Sequence, residues 1–202
     1  MFDAAVRPLI DPPLAKLAQR CIGAGLSANA VTLIGFGIGL LSIPALAAKW
    51  YFAALLLILL NRVADGIDGA IARRQGATEL GGYLDILCDF IFYAAVPLGF
   101  ALARPENGAA AAFLIFSFVG TGSSFLAYAA IAAKRGMESA RYGAKSVFYL
   151  GGLTEGTETI AFFVIFCLFP SSFPSLAYLF GVLCWITTAF RAAAAWQTLN
   201  RR

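Results

Sequence analysis

Histidine is absent from the 202 residues. That excludes Ser/His/Asp and Cys/His nucleophile constellations, histidine general bases and histidine metal ligands, and leaves any acid, base or metal work to carboxylates. Charge is scarce as well: Asp, Glu, Lys and Arg make up 13% of the chain and apolar residues 60%, whereas a soluble domain carries about a quarter of its residues as charged side chains. The four cysteines, Cys21, Cys88, Cys167 and Cys184, are far apart and form no CxxC pair, so they read as small apolar packing residues rather than a zinc or redox site. No uninterrupted apolar run follows a basic start, which argues against a cleavable signal peptide. The net charge of +4 comes without a basic stretch interleaved with aromatics, so no nucleic-acid partner is expected.

What the chain does have is apolar length. Six segments, about 31–48, 51–72, 80–103, 109–133, 147–169 and 174–197, are joined by short connections, and a membrane span needs about 20 residues. The expected fold class is an all-α integral membrane protein of six transmembrane helices. Residues 1–28 mix Phe2, Val6, Leu9, Ile10, Leu14, Leu17 and Ile22 with Asp3, Arg7, Asp11, Lys16 and Arg20, which predicts an amphipathic interfacial helix ahead of a six-helix domain at 29–202. The N-terminus, the second and fourth loops and the C-terminus carry eleven basic residues, against Lys49 and Arg104 in the other three loops. By the positive-inside rule, both termini and the chemistry beside those loops face the cytoplasm, which predicts a bacterial inner-membrane location.

Carboxylates inside spans are the informative residues, because an ionised Asp at membrane depth persists only with a partner, a metal or a water-filled cavity. Asp65 and Asp68 are three apart at the end of the second segment, and Asp85 and Asp89 are four apart at the start of the third. Each pair shares a helix face. The intervening hairpin can bring the pairs together, where they repel unless cations lie among them. All-oxygen ligands select hard cations, Mg²⁺, Mn²⁺ or Ca²⁺. Gly66, Gly69, Gly81 and Gly82 remove side chains around the cluster, Ala72 keeps the same face open, and Arg73 and Arg74 offer forked donors to phosphate. Together these features suggest a diphosphate ligand.

At these residues the chain resembles the CDP-alcohol phosphotransferase family, whose signature is Asp-x2-Asp-Gly-x2-Ala-Arg-x8-Gly-x3-Asp-x3-Asp. Asp65, Asp68, Gly69, Ala72, Arg73, Gly81, Asp85 and Asp89 match it in order, with seven rather than eight residues between Arg73 and Gly81. Ser27 to Thr32 also resembles the family's Pro-Asn-x-x-Thr stretch, with Ala28 in place of proline. The resemblance implies six membrane helices in a homodimer and a two-metal site for Mg²⁺ or Mn²⁺. Asp65, Asp68 and Asp85 hold the cations, and Asp89 completes the site and acts as general base. Asp65, Asp68, Gly69, Ala72, Arg73, Gly81, Asn29 and Thr32 face the CDP moiety. The implied reaction moves a phosphatidyl or substituted phosphoryl group from a CDP-linked donor, CDP-diacylglycerol for preference, to an alcohol and releases CMP.

A second polar cluster, Thr154, Glu155, Thr157, Glu158 and Thr159 with Lys145 before it, marks a candidate acceptor pocket in the fifth segment. Relatives that accept phosphorylated alcohols resemble an Arg-x-x-Glu-Arg pattern at this place. Its arginines are missing here, which favours an acceptor without phosphate, a polyol or an amino alcohol. Three alternatives stay open: a glycerol phosphate or inositol phosphate acceptor, a soluble CDP-alcohol donor with a lipid acceptor, and, from another class, a carboxylate-lined cation transporter.

Overall fold

The computed structural model describes residues 3–136 and 154–200, with side chains described from Ile10 onward. Lys145, Arg141, Gly151, Gly152 and the C-terminal Arg201 and Arg202 lie outside the described residues. The described residues contain helices and turns and no strand. The helices are α1 (Asp3–Gly23), α2 (Ala28–Leu40), α3 (Ser42–Ala47), α4 (Tyr51–Gln75), α5 (Glu79–Ala103), α6 (Gly108–Lys134), α7 (Gly156–Leu168) and α8 (Phe173–Leu199).

Among the described residues, four stretches are long and apolar enough to cross a membrane: Ala28–Ala47, Glu79–Ala103, Pro105–Lys134 and Pro170–Leu199. The first is two helices, α2 and α3, interrupted at Leu41; Pro44 lacks the N–H that a continuous helix would direct at Leu40. Helix α4 has the length, but it carries Arg62, Asp65, Asp68, Arg73 and Arg74. Helix α7 has 13 described residues. Large side chains such as Phe52, Val119, Phe190 and Trp196 stand exposed along the bundle, an apolar exterior suited to lipid rather than water.

The core is aromatic. Phe92 and Phe100 of α5, Phe118 of α6, Phe163 and Phe166 of α7, and Phe173 and Phe180 of α8 form one buried cluster. Phe100 and Phe173 stack with ring centroids 4.4 Å apart, and Phe162 and Phe180 at 4.2 Å. Between helices whose outer faces meet lipid, such packing and interhelical hydrogen bonds hold the bundle, since burial away from water contributes little there.

Two glycines set the approach of helices around the carboxylates. A Cβ on Gly35 of α2 would lie 2.5 Å from the Ala64 Cβ of α4, and one on Gly66 would lie 2.6 Å from Leu14 Cδ1 of α1. Gly66, expected to open the backbone to a ligand, therefore receives α1 instead. Ala18 of α1 is buried with Val31, Ala70 and Ile71, while Ile10 and Leu17 remain exposed. Between α4 and α5 the turn shortens to 76–78. Gly76, at φ +97°, ends α4, and Thr78 caps α5 by accepting from the Gly81 N–H at 3.0 Å.

Candidate functional site

The turn at 76–78 reverses the chain, α2 packs against both α4 and α5, and helix periodicity then turns Asp65 and Asp68 towards Asp85 and Asp89. One carboxylate oxygen from each of Asp65, Asp68 and Asp85 lies within 4.8 Å of the others. Thr32 of α2 donates its hydroxyl to Asp68 Oδ2 at 2.5 Å and approaches the Ala28 carbonyl at 3.1 Å. Asp89 lies in the same cavity, lined also by Thr32, Gly35, Phe36, Asn61 and Cys88. Three carboxylates this close in a part-buried cavity offer only hard oxygen donors, and Mg²⁺ or Mn²⁺ fits that donor set.

The fourth carboxylate has a partner that loop charges do not indicate. Arg62 Nη2 donates to Asp89 Oδ1 at 2.8 Å, and Nη1 lies 3.6 Å from Asp65 Oδ2. Its Nε donates to Asn61 Oδ1 at 2.8 Å, and Asn61 Nδ2 donates in turn to the Gly35 carbonyl at 2.9 Å. The guanidinium lies 4.8 Å from the Phe92 ring centroid and 5.5 Å from that of Tyr93. Arg62 and Arg191 are the two arginines set inside apolar segments. Arg191 of α8 is buried, with Nη1 donating to the Thr121 carbonyl of α6 at 3.1 Å. A cation at membrane depth needs a partner as much as an anion does, and that signal was present in the sequence at both positions.

The residues expected around CDP lie at the same end. Gly69 and Ala72 follow Asp68 along α4. Arg73 is half exposed and sits 3.6 Å from Asp11 of α1. A Cβ on Gly81 would meet Thr78 Oγ1 at 3.0 Å and Asn29 Oδ1 at 3.1 Å, which brings Asn29 of α2 to the start of α5.

The second polar cluster has a local role. Glu155 and Glu158 form a capping box at the start of α7, in which Glu158 Oε2 accepts from the Glu155 N–H at 3.0 Å. Thr154 donates its N–H and hydroxyl to Thr187 Oγ1 of α8 at 3.1 and 2.9 Å. The cluster nevertheless adjoins the carboxylates through one side chain. Tyr93 Oη is 3.5 Å from Arg62 Nη1 and would lie 3.6 Å from a Cβ on Gly156.

The family model for CDP-alcohol phosphatidyltransferase matches residues 26–193. The chain belongs to that family and is a phosphotransferase of phospholipid synthesis. It is 52% identical over 201 residues to the inner membrane protein YnjF of Escherichia coli (strain K12), covering 99% of this chain and 98% of that one. It is 28% identical over 196 residues to archaetidylinositol phosphate synthase of Pyrococcus horikoshii, covering 96% and 97%. The crystal structure of Mycobacterium tuberculosis phosphatidylinositol phosphate synthase with CDP-DAG bound superposes with a TM-score of 0.69 at 21% identity, covering 91% of this chain and 93% of that one. Its complex with manganese and citrate superposes at 0.67 and 21%, covering 91% and 88%. At these identities the likeness to the solved structures is one of fold.

Proposed function

We propose that this protein transfers a phosphatidyl group from CDP-diacylglycerol to the hydroxyl of a small alcohol and releases CMP. The convergence of Asp65, Asp68 and Asp85, with oxygens within 4.8 Å, carries this reading. The similarly folded phosphatidylinositol phosphate synthase, solved with CDP-DAG and with manganese, supports it. Mg²⁺ or Mn²⁺ bound by these aspartates, with Asp89 completing a two-metal site, supplies charge neutralisation at the diphosphate and at the departing CMP.

The chain's own groups do the rest. Asn29, Thr32, Gly69, Ala72, Arg73 and Gly81 receive the CDP moiety, with small residues leaving room and Arg73 offering two parallel donors to a phosphate. Asp89 accepts the proton of the acceptor hydroxyl as its oxygen bonds to the phosphorus that bears diacylglycerol. The bond from that phosphorus to the CMP oxygen breaks, and CMP leaves with the electron pair. A carboxylate is a weak base for an alcohol, so positioning provides much of the acceleration. Six spans behind an interfacial α1, a domain at 29–202, cytoplasmic termini, an inner-membrane location and a homodimer belong to the same proposal.

The acceptor has two readings. Thr154, Glu155, Glu158 and Lys145, without an Arg-x-x-Glu-Arg pattern, favour an uncharged polyol or an amino alcohol. Buried Arg191, together with relatives named archaetidylinositol phosphate synthase and phosphatidylinositol phosphate synthase, favours a phosphorylated one. Purified protein with CDP-diacylglycerol, Mn²⁺ and matched free and phosphorylated polyols decides between them by CMP release. We expect release with one of the two classes and its loss in Asp89→Asn. No CMP with any acceptor would overturn the reading of CDP-diacylglycerol as the donor.

A further inference from the structure

Arg62 is the cation already present among the carboxylates. It is held from four sides: by Asp89 at 2.8 Å, by Asp65 at 3.6 Å, by Asn61 at 2.8 Å on Nε, and by the face of Phe92 at 4.8 Å. These contacts tie α4 to α5, and through Asn61 to the Gly35 carbonyl of α2. A guanidinium fixed by its fork, its Nε and an aromatic face has little freedom to swing away. It therefore behaves as a permanent part of the site.

Its position divides the four aspartates unequally. Asp65, Asp68 and Asp85 keep oxygens within 4.8 Å of one another, while Asp89 directs Oδ1 to the guanidinium. Four ionised carboxylates and one guanidinium leave three negative charges in a cavity walled by lipid-facing helices. One divalent cation on the triad reduces that to a single negative charge. A second would turn the cavity positive, beside a fixed guanidinium. A diphosphate diester brings two negative charges and would restore the balance that one cation alone achieves.

We propose that Arg62 is a positioning residue that engages Asp89 and confines the resting site to one divalent cation, so that the second binds only together with the diphosphate of the donor. This rests on the metal-dependent reading above and adds an order of assembly to it. Linkage makes the effect reciprocal, so bound metal tightens nucleotide binding by the same factor as nucleotide tightens the second metal.

The test counts protein-bound Mn²⁺ by equilibrium dialysis with EPR detection, on detergent-solubilised full chain, with and without CDP and at matched free Mn²⁺. Wild type is expected to bind one Mn²⁺ without CDP and two with it, the second site tightening about tenfold or more. Arg62→Met is expected to bind two without CDP. Arg62→Lys, which keeps the charge, is expected to retain the CDP dependence. If Arg62→Met fails to give a monodisperse protein, wild type and Arg62→Lys still decide. Two sites filled equally tightly in wild type without CDP would overturn the proposal. So would a folded Arg62→Met that still requires CDP, or an Arg62→Lys that does not. Absence of bound Mn²⁺ from wild type under both conditions would instead remove the metal-dependent reading on which the proposal stands.

Discussion

A hydroxyl and a carboxylate 2.5 Å apart join Thr32 to Asp68, and that distance is typical of a hydrogen bond to an ionised acceptor. Asp68 is buried, and a buried carboxylate without such a donor is costly to keep charged. Thr32 thus orients the Asp68 carboxylate through Oδ2. Hydrogen bonds to charged groups contribute about 1.5–3 kcal/mol, and about 1.4 kcal/mol is a tenfold change in affinity. Thr32→Val, nearly isosteric but without the donor, is accordingly expected to weaken Mn²⁺ binding about tenfold, with recovery in Thr32→Ser. Titration of the two variants by calorimetry checks this, and unchanged affinity in Thr32→Val would show that the hydroxyl plays no part in Mn²⁺ binding. Thr32 was legible in the sequence only through the family's Asn-x-x-Thr stretch. Arg62 was legible as a cation inside an apolar segment, three residues before Asp65, but a loop-based charge count passes over such residues.

At the scale of elements, the reversal between α4 and α5 was readable and the work of α7 was not. Spacings of three and four placed the aspartates on shared faces, and a short glycine-containing turn could only reverse the chain, whereas the packing of α2 against both helices left no such mark. Glu155 and Glu158 carry two meanings at one spacing, since a capping box and an inward-facing carboxylate pair both require residues three apart. The structure gives them the cap. A glutamine at the third helical position also serves a capping box, so Glu158→Gln separates the two roles. If the carboxylate acts only as a cap, thermal stability and kinetics both stay near wild type. If its charge also faces the acceptor, as the acceptor-pocket reading expects, stability holds while KM for the acceptor rises several-fold and KM for the CDP-linked donor does not. Steady-state kinetics beside a thermal unfolding curve read both quantities. Equal shifts in the two KM values would remove Glu158 from the acceptor pocket.

For the whole molecule, composition excluded a soluble body, and the helices agree: four stretches among the described residues are long and apolar enough to cross a membrane. Length and hydropathy pass over α4 for the same reason that makes it interesting, since its charges serve the site at the cost of apolarity. An ionisable cluster is tolerable there because the charges face α2 and α5 rather than lipid. The carboxylates lie near the turn at 76–78, beside Arg73 and Arg74, so the side of the membrane on which that turn emerges decides which substrates can reach them. The proposed orientation, from the excess of basic residues in the loops flanking the site, puts that side in the cytoplasm. Cysteine labelling tests the assignment. In a background with Cys21 replaced by Ser and the three buried cysteines retained, Gln75→Cys is expected to react with a membrane-impermeant maleimide in inside-out vesicles and not in right-side-out ones. Ser171→Cys, in the turn before α8, is expected to show the opposite pattern. The reverse outcome would place the carboxylates outside, away from cytoplasmic CDP-linked donors, and labelling of both positions from the same side would show that the chain crosses the membrane an even number of times between them.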